Sequence, residues 1–382
     1  MKGIWTGVLV CCLLAGLPLG VRGAGPEVPG KSALLMEAAT GTVLLEKNAH
    51  EPLAPASVTK VMTLLLIMEA VDNGSISWQD NVVASEAAAA KGGSQVYLKV
   101  GETMTVEEMV KSIAVSSAND CACAMAEHIA GSEGAFVERM NEKARELGME
   151  DTHFVNCTGL DDGADAADHR TSAHDIALMS RELIVKHPDI KRFTTIWMDS
   201  VRNGAFGLSN TNKLIRFYEG ATGLKTGFTS GAGYCLSATA RREDMELIAV
   251  VMGAASSQDR FQACKGMLDY GFAGFALVHP ELTEAAPVPV RLGHVAAAEP
   301  VLGNSEAILV EKGLRGTVTM DLTLAEQLDA PVERGQELGK LTIRAGDQIL
   351  TEIPVVAREK VDRLGWGDIA LRIFRMAAMA AG

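Results

Sequence analysis

The 382-residue sequence has no surplus of positive charge, because 48 acidic residues outnumber 35 Lys and Arg and leave a formal net charge of -13. Proteins that hold phosphate backbones usually present a basic face, so no nucleic-acid partner is expected. The sequence also has no low-complexity tract, and 48% of its residues are hydrophobic. These properties are typical of a globular chain that is long enough for more than one domain.

Cysteines are also few, and the seven present follow no regular spacing. Two fall in the apolar N-terminal run, and five lie further along the chain: Cys121, Cys123, Cys157, Cys235 and Cys264. An odd number without regular spacing does not describe a disulfide framework, and no His/Cys cluster has the spacing of zinc ligands. We therefore expect no metal or cofactor, and five cysteines that serve as small buried apolar residues.

Residues 1–23 are typical of a signal peptide. Lys2 provides a positive start, an apolar stretch follows from 4 to 21, and small residues at 23–25 offer a cleavage site. The alternative is a membrane-spanning anchor, but the stretch is short and is interrupted by Gly16, Pro18 and Gly20. The pattern therefore predicts an exported protein.

Residues 24–278 show helical patterns in the middle and strand patterns at both ends. An apolar hairpin is expected around Thr40-Gly41. Helices are expected over 58–70, 106–130, 133–147, 172–187 and 258–271, and strands over 221–227, 233–240 and 246–253. This order predicts one α/β (α+β) domain whose terminal strands share a sheet.

The character of the sequence changes near residue 279. Short apolar runs broken by Gly and acidic turns predict a small all-β domain over 279–360. In residues 361–382, Trp366, Ile369, Ile373, Met376 and Ala380 recur on one helical face. This segment is too short and too rich in arginine to cross a bilayer. It predicts an amphipathic helix at a membrane surface, and packing against the β domain is the alternative.

Three short patterns carry possible chemistry, and the first is Ser57-Val58-Thr59-Lys60. Residues three apart share a helical face, so the Lys60 amine can reach the Ser57 hydroxyl. Serine needs a neighbouring base to act as a nucleophile, and a buried lysine can be one if it is partly neutral. The start of a helix also directs N–H groups toward developing negative charge. The alternative is a helix cap followed by an exposed lysine.

The second pattern is Ser117-Ala118-Asn119, in which a hydroxyl and a carboxamide two apart on a loop could relay a proton and hold an amide substrate. A plain turn or helix cap is its alternative interpretation. The third is Lys225-Thr226-Gly227. A lysine and a hydroxyl on a strand facing a cleft would hold a carboxylate, and Gly227 would let a ligand approach the backbone. An exposed edge strand protected by a lysine is the alternative for this pattern.

The order S-x-x-K, S-x-N, K-T-G in an exported chain makes the separate structural explanations hard to sustain. The chain resembles the low-molecular-mass penicillin-binding proteins that are serine D-alanyl-D-alanine carboxypeptidases, from about residue 30 to the C-terminus. The resemblance implies a penicillin-binding/β-lactamase-like transpeptidase domain with helices packed on an antiparallel sheet. A small all-β domain and a C-terminal amphipathic helix would follow.

The resemblance also implies a role for each matching residue. Ser57 would attack the peptide bond between two D-alanines, Lys60 would accept its proton, and Ser117 would pass a proton to the leaving D-alanine. The implied substrate-binding residues are Asn119 for the amide, Lys225 for positive potential, Thr226 for the terminal carboxylate, Gly227 and Phe228 on the same strand, and Arg260 for placing the carboxylate. An exposed helix arginine is the alternative for Arg260. The backbone N–H groups of Ser57 and Phe228 would form the oxyanion hole.

The implied substrates are the pentapeptide stems of peptidoglycan, and β-lactam antibiotics would acylate Ser57 as substrate mimics. Alternatives are a β-lactamase, a D,D-endopeptidase and a non-catalytic penicillin-binding module. A class A β-lactamase would carry a glutamate in a loop after the middle motif, and residues 153–160 contain none. The expected location is the outer face of the cytoplasmic membrane, in the cell wall or periplasmic space, with a role in cell wall biogenesis and cell shape.

Overall fold

The computed structural model describes residues 25–163, 165–283 and 285–380. The predicted signal peptide, with Cys11 and Cys12, lies outside the described residues.

The first part of the chain alternates short strands with helices. In chain order the elements are β1 (Ser32–Glu37), β2 (Val43–Lys47), a 3-10 turn (Ala56–Thr59), α1 (Lys60–Asp72), β3 (Asn81–Val83), α2 (Glu86–Ala89), β4 (Thr103–Thr105), α3 (Val106–Ser116), α4 (Asn119–Ala130), α5 (Glu133–Glu146), a 3-10 turn (Ala166–Asp168), α6 (Ala173–Lys186), a 3-10 turn (Pro188–Ile190), α7 (Lys191–Thr194), β5 (Met198–Val201), β6 (Phe206–Ser209), α8 (Leu214–Phe217), β7 (Ala221–Thr229), β8 (Gly233–Arg242), β9 (Met245–Ala254), α9 (Ser257–Gly274) and β10 (Phe275–Val278).

A five-stranded antiparallel sheet in the order β2-β1-β9-β8-β7 organises this part. The first strand pairs with a late one, with Ala33 opposite Val251, which confirms that the terminal strands share a sheet. Side chains alternate between the two faces of a strand. Leu34 of β1 therefore joins a core shared with α1, α3, α4 and α6, while Leu35 joins a second core shared with α9.

Two helices differ from the expectation in ways that matter for the site. The helical pattern expected over 106–130 is interrupted, because α3 ends at Ser116 and α4 starts at Asn119, where the loop with Ser117 is expected. Ser117 adopts a left-handed conformation with φ 63°, and a helix cannot continue through such a residue. The helix expected from 58 begins instead as a 3-10 turn, in which Ala56 has φ 49°. The first irregularity lies within a predicted motif, and the second lies at the residue before Ser57.

The second part is built from strands. Its elements are β11 (Val288–Arg291), β12 (Ala297–Ala298), β13 (Pro300–Leu302), β14 (Ile308–Glu311), a 3-10 turn (Lys312–Thr317), β15 (Val318–Leu324), β16 (Leu328–Asp329), β17 (Glu337–Ala345) and β18 (Gln348–Ala357). One sheet has the order β12-β11-β16 and another the order β13-β18-β17-β15. β14 pairs with β10 and so joins this part to the first. The observed architecture confirms the predicted fold class.

The last described element is α10 (Trp366–Ala380). Several of its apolar side chains face solvent: Trp366 is 89% exposed, Phe374 74% and Ile373 63%. Met376 and Ala380 are predicted on one helical face with Trp366 and Ile373, but their side chains lie outside the described part of the chain. Among the described residues, no helix combines the length and apolarity that crossing a membrane requires.

Candidate active site

Ser57 and Lys60 face each other at the start of α1. The Lys60 Nζ donates a hydrogen bond to the Ser57 Oγ at 3.0 Å and a second one to the backbone carbonyl of Thr158 at 2.8 Å. Ser57 is half-buried, whereas Lys60 has no exposed surface. The 3-10 turn that carries Ser57 therefore sets the hydroxyl against a lysine that is shielded from water.

Burial changes the acid–base behaviour of this lysine. The pKa of Lys60 is lowered from 10.5 to about 7, because desolvation of the ammonium outweighs the favourable charges of Cys157 and Asp120. A lysine with such a pKa is partly neutral near pH 7 and can accept a proton. This geometry and this pKa together fit a serine nucleophile with an adjacent base.

The predicted residues Ser117 and Asn119 lie at the break between α3 and α4. Both are buried, and the Asn119 Nδ2 donates to the carbonyl of Gly92 at 2.7 Å. The Ser117 Oγ and the Asn119 Oδ1 are buried without a hydrogen-bond partner among the described residues. Because unpaired buried polar atoms are costly, these two atoms are candidates to bind a ligand.

Lys225 and Thr226 lie in the edge strand β7. The Lys225 Nζ donates to the carbonyl of Thr226 at 2.9 Å. Burial, together with the cations Lys60 and Arg260, holds the pKa of Lys225 well below its ordinary range. Three basic side chains thus influence one another, and an anionic ligand beside them would favour their protonated forms.

Gly227 brings β7 against the turn that carries the serine. A Cβ at this position would lie 2.6 Å from the Pro55 carbonyl oxygen and 3.1 Å from the Ser57 nitrogen. No ordinary side chain fits at these distances, so glycine is what allows this approach. The next residue, Phe228, is 54% exposed and stacks on Tyr234 with ring centroids 4.3 Å apart.

Arg260 supports β7 from α9. Its Nη1 donates to the carbonyls of Gly227 at 2.8 Å and Cys235 at 3.2 Å. The guanidinium lies over the rings of Tyr234 and Phe261, and only 7% of the residue is exposed. The structure thus places Arg260 against the backbone of the strand that carries the Lys-Thr-Gly pattern.

Two residues at the site were not found from the sequence. The Thr158 carbonyl accepts from Lys60, and the Thr211 Oγ1 accepts from the Thr226 Oγ1 at 2.7 Å. The Thr211 N–H also donates to the carbonyl of Val115, and so links β7 to the end of α3. No sequence signal marks either threonine, because each contacts a segment that is distant in the chain. Thr158 does so through its backbone carbonyl and Thr211 through its hydroxyl.

The loop over residues 153–160, beside Lys60, is where a class A β-lactamase would place its glutamate. A carboxylate does reach this loop from α5, since Glu133 accepts from the backbone N–H of Cys157 at 3.3 Å. It is bound to Lys91 in a 2.6 Å ion pair, and the atom that the loop offers to Lys60 is a carbonyl oxygen. Cys157 and the other four predicted cysteines are buried and unbridged.

Comparison with protein families gives two matches. A family model described as D-alanyl-D-alanine carboxypeptidase matches residues 21–256, and one described as the C-terminal domain of penicillin-binding protein 5 matches residues 283–363. The D-alanyl-D-alanine carboxypeptidase DacF of Bacillus subtilis (strain 168) is 44% identical over 343 residues, which cover 88% of this chain and 87% of the relative. DacC of Escherichia coli (strain K12) is 33% identical over 354 residues, which cover 89% of this chain and 86% of the relative.

Solved structures show the same likeness. Penicillin binding protein 5 from Haemophilus influenzae has a TM-score of 0.77 at 27% identity, over 90% of this chain and 100% of its own. The ampicillin-bound form of penicillin-binding protein D2 from Listeria monocytogenes has a TM-score of 0.59 at 31% identity, over 64% of this chain and 98% of its own. Because the first family model spans most of the chain, the chain belongs to the D-alanyl-D-alanine carboxypeptidase family, peptidase family S11, as its motifs predict.

Proposed function

We propose that the chain is a serine D-alanyl-D-alanine carboxypeptidase that removes the terminal D-alanine from peptidoglycan pentapeptide stems and is acylated by penicillin. The observation that carries the proposal is the 3.0 Å hydrogen bond between the Lys60 Nζ and the Ser57 Oγ. It is joined by the lowered pKa of that lysine and by membership of the family.

In the proposed acylation, the Ser57 Oγ attacks the carbonyl carbon between the two D-alanines while its proton moves to the neutral Lys60 Nζ. The negative oxygen of the tetrahedral intermediate is held by the N–H groups of Ser57 and Phe228, an effect worth about 3–4 kcal/mol per donor in comparable enzymes. The C–N bond then breaks, and the proton passes through Ser117 to the leaving D-alanine. Water hydrolyses the resulting ester and releases Ser57 with its proton restored.

The remaining site residues hold the substrate in this proposal. The free Asn119 Oδ1 accepts from the N–H of the stem peptide. Lys225 and the Thr226 hydroxyl hold the terminal carboxylate. Gly227 lets the substrate lie against β7, while Arg260 fixes the backbone of that strand and adds positive potential for the carboxylate. The terminal carboxylate is what distinguishes an unprocessed stem from the interior of a chain.

Mass spectrometry after incubation with a labelled penicillin tests this proposal. We expect one adduct, mapped to Ser57 and absent from Ser57→Ala. Ser75→Ala is the matched control, since Ser75 is an exposed serine beyond the other end of the same helix and should leave the adduct unchanged. A folded wild-type protein without an adduct on Ser57 would indicate a non-catalytic module and contradict the proposal.

Product analysis then separates the enzymes that share these residues. Release of free D-alanine from a pentapeptide ending in D-Ala-D-Ala supports the carboxypeptidase. Cleavage confined to cross-linked stem dimers would indicate an endopeptidase. Steady turnover of penicillin without release of D-alanine would indicate a β-lactamase, against which the absence of a glutamate from residues 153–160 argues.

The domain organisation is part of the same proposal. A signal peptide spans 1–23, the catalytic domain 24–278, the β domain 279–360 and the membrane-associating helix 361–382. The family matches, 21–256 and 283–363, support a division near 280, although the β10–β14 pairing crosses it. A chain ending at residue 280 should still be acylated by penicillin, and loss of acylation in folded protein would contradict this boundary.

Location follows from the substrate and the two ends of the chain. Peptidoglycan lies outside the cytoplasmic membrane, so the proposed enzyme acts in the cell wall or periplasmic space and contributes to cell wall biogenesis and cell shape. The exposed apolar side chains of α10, among them Trp366 and Phe374, support peripheral attachment to the outer face of the membrane.

A further inference from the structure

One buried histidine beside the proposed nucleophile has no part in the reaction described above. His169 follows the 3-10 turn Ala166–Asp168 and is 4% exposed. It lies between the turn that carries Ser57 and the loop over 153–160 that offers a carbonyl to Lys60. A polar ring in such a place has to satisfy both of its nitrogens.

The hydrogen bonds of His169 fix its tautomer. The Val155 N–H donates to the Nδ1 at 3.1 Å, so the Nδ1 is an acceptor and carries no proton. The proton is therefore on the Nε2, which lies 2.7 Å from the Thr59 Oγ1 and donates to it. The Thr59 hydroxyl in turn donates to the carbonyl of Ala56 at 2.8 Å. The donors run in one direction, from Val155 through His169 and Thr59 to Ala56.

The end of this chain of hydrogen bonds is the residue before the serine. Ala56 has φ 49°, a region that residues other than glycine adopt at a cost. The Ala56 carbonyl accepts the hydrogen bond from Thr59. Gly159 packs directly against the same carbonyl, since a Cβ at Gly159 would lie 1.8 Å from its oxygen. The His169–Thr59 contact thus restrains the backbone that positions the Ser57 hydroxyl and N–H.

The other end of the chain of hydrogen bonds is the loop that receives Lys60. Val155, bound to the Nδ1, is followed by Asn156, whose Oδ1 accepts from the N–H groups of Thr158 and Gly159 at 3.1 and 2.6 Å. The carbonyl of Thr158 then accepts from Lys60 at 2.8 Å. Holding Val155 therefore restrains the acceptor that aims the Lys60 amine at Ser57.

We propose that His169, as the neutral Nε2–H tautomer, is a positioning residue that couples the turn carrying Ser57 to the loop that holds Lys60, and thereby sets the rate of acylation. The inference rests on the proposed function, because it assumes that Ser57 is acylated. It assigns no proton transfer to the histidine, whose ring nitrogens are hydrogen-bonded to Thr59 and Val155.

The electrostatic surroundings keep the histidine neutral. Burial, with the nearby His153 and Lys60, lowers the pKa of His169 to about 4. Its neighbours in the chain, Asp168 and Arg170, are exposed. A proton on the Nδ1 would face the Val155 N–H, donor against donor, so protonation would break the link to the loop.

The test uses the full chain and the second-order rate of acylation by a fluorescent penicillin at pH 8. His169→Leu removes both hydrogen bonds, and we expect a rate roughly 10–100-fold lower, as small misplacements of reacting groups produce. His169→Gln can place an N–H near the position of the Nε2 but leaves no acceptor for Val155, whereas His169→Asn can accept from Val155 but cannot reach Thr59. Because each variant keeps only one of the two links, both should stay slow.

Thr59 provides the second arm of the experiment. Thr59→Ser keeps the hydroxyl and should acylate like the wild type, whereas Thr59→Val should be as slow as His169→Leu. Because both act through one contact, the double variant should be no slower than the slower single one. His153→Gln, on the same loop but exposed, is the matched control and should leave the rate unchanged.

Several results would overturn the inference while leaving the proposed function intact: a wild-type rate in folded His169→Leu, a wild-type rate in the Gln or the Asn variant, or multiplying losses in the double variant. If His169→Leu fails to fold, the rates of the folded Gln and Asn variants decide alone. A wild-type protein that is not acylated would instead overturn the proposed function itself.

Discussion

At the scale of single residues, the proposed reaction depends on a lysine that the fold keeps partly neutral. A Lys60 amine with a pKa of about 7 loses its proton as the pH rises through 7, and only the neutral amine can accept the proton of Ser57. The same amine donates a hydrogen bond to the carbonyl of Thr158. Burial therefore lowers the pKa of Lys60, and the loop that contains Thr158 orients its amine toward Ser57.

The acylation rate should therefore depend on pH with an apparent pKa near 7. We expect the rate to fall about tenfold for each pH unit well below 7 and to level off above it, measured with a fluorescent penicillin between pH 5 and 9. Lys225→Arg is the comparison variant, because its fixed charge removes the titration of Lys225; the titration of Lys60 should remain, moved to lower pH by that charge. A profile that is flat from pH 5 to 9 would contradict the role of Lys60.

The buried lysine should also lower stability. Because its folded-state pKa lies below the unfolded value of 10.5, unfolding takes up a proton, and stability falls as the pH drops from about 10.5 to 7. The shift corresponds to roughly 5 kcal/mol at pH 7, and the loss of the hydrogen bond to Thr158 would offset part of it. Lys60→Met should therefore raise the free energy of unfolding by roughly 2–4 kcal/mol.

Denaturant titrations of Lys60→Met and wild type at pH 7 and pH 10 measure this effect. The advantage of the variant should shrink at pH 10, where the native lysine is neutral and the unfolded one is less completely charged. A variant that is less stable than the wild type at both pH values would contradict the expectation. Acylation should be lost in either case.

At the scale of elements, the site depends on how closely β7 approaches the turn that starts α1. Gly227 makes that approach possible, because a Cβ there would meet the Pro55 carbonyl oxygen at 2.6 Å. Arg260 of α9 holds the carbonyl of the same glycine. The distance between β7 and Ser57 thus depends on a strand, a turn and a helix that are far apart in the sequence.

Gly227→Ala should push β7 away from Ser57. We expect a loss of about 1–3 kcal/mol in stability, as for other overpacked contacts, and an acylation rate at least about tenfold lower, because the oxyanion donors move apart. Gly207→Ala is the matched control, since a Cβ on that glycine of β6 meets no atom within 4 Å. Equal acylation rates in the two variants would show that the close approach does not matter.

At the scale of the whole molecule, the chain combines a catalytic part, a β part and an exposed apolar helix. β14 pairs with β10, while α10 leaves Trp366 and Phe374 largely in solvent. Apolar aromatic side chains at this level of exposure fit the interface of a bilayer, where Trp is favoured. The proposed catalytic chemistry takes place in the first part and needs no contact with α10.

Removing α10 should therefore separate attachment from catalysis. A chain ending at residue 363, where the second family match stops, should no longer sediment with vesicles of phosphatidylglycerol and phosphatidylethanolamine. Its rate of penicillin acylation in solution should equal that of the chain with α10. If the truncated chain still binds vesicles, another surface is responsible for membrane attachment and α10 is not required for it.

The sequence by itself determined the order of the longer helices and strands and most of the proposed site, because these elements and the three motifs are local patterns of a few residues. The spacing of Ser57 and Lys60 places their side chains within hydrogen-bond reach, whereas the order of the three motifs is what marks these residues as a candidate site. The break at Ser117 escaped a periodicity argument, since α3 and α4 are both amphipathic and the left-handed residue between them leaves no apolar signal.

The tertiary structure alone decided which distant groups meet. The Thr158 carbonyl beside Lys60, the Thr211 hydroxyl beside Thr226 and the His169 ring beside Thr59 all join segments that are far apart in the chain. The lowered pKa of Lys60 is also a property of burial, which the sequence of the helix does not specify. The physical reason is the same in each case: a motif fixes which groups are available, whereas packing fixes their distances and their exposure to water.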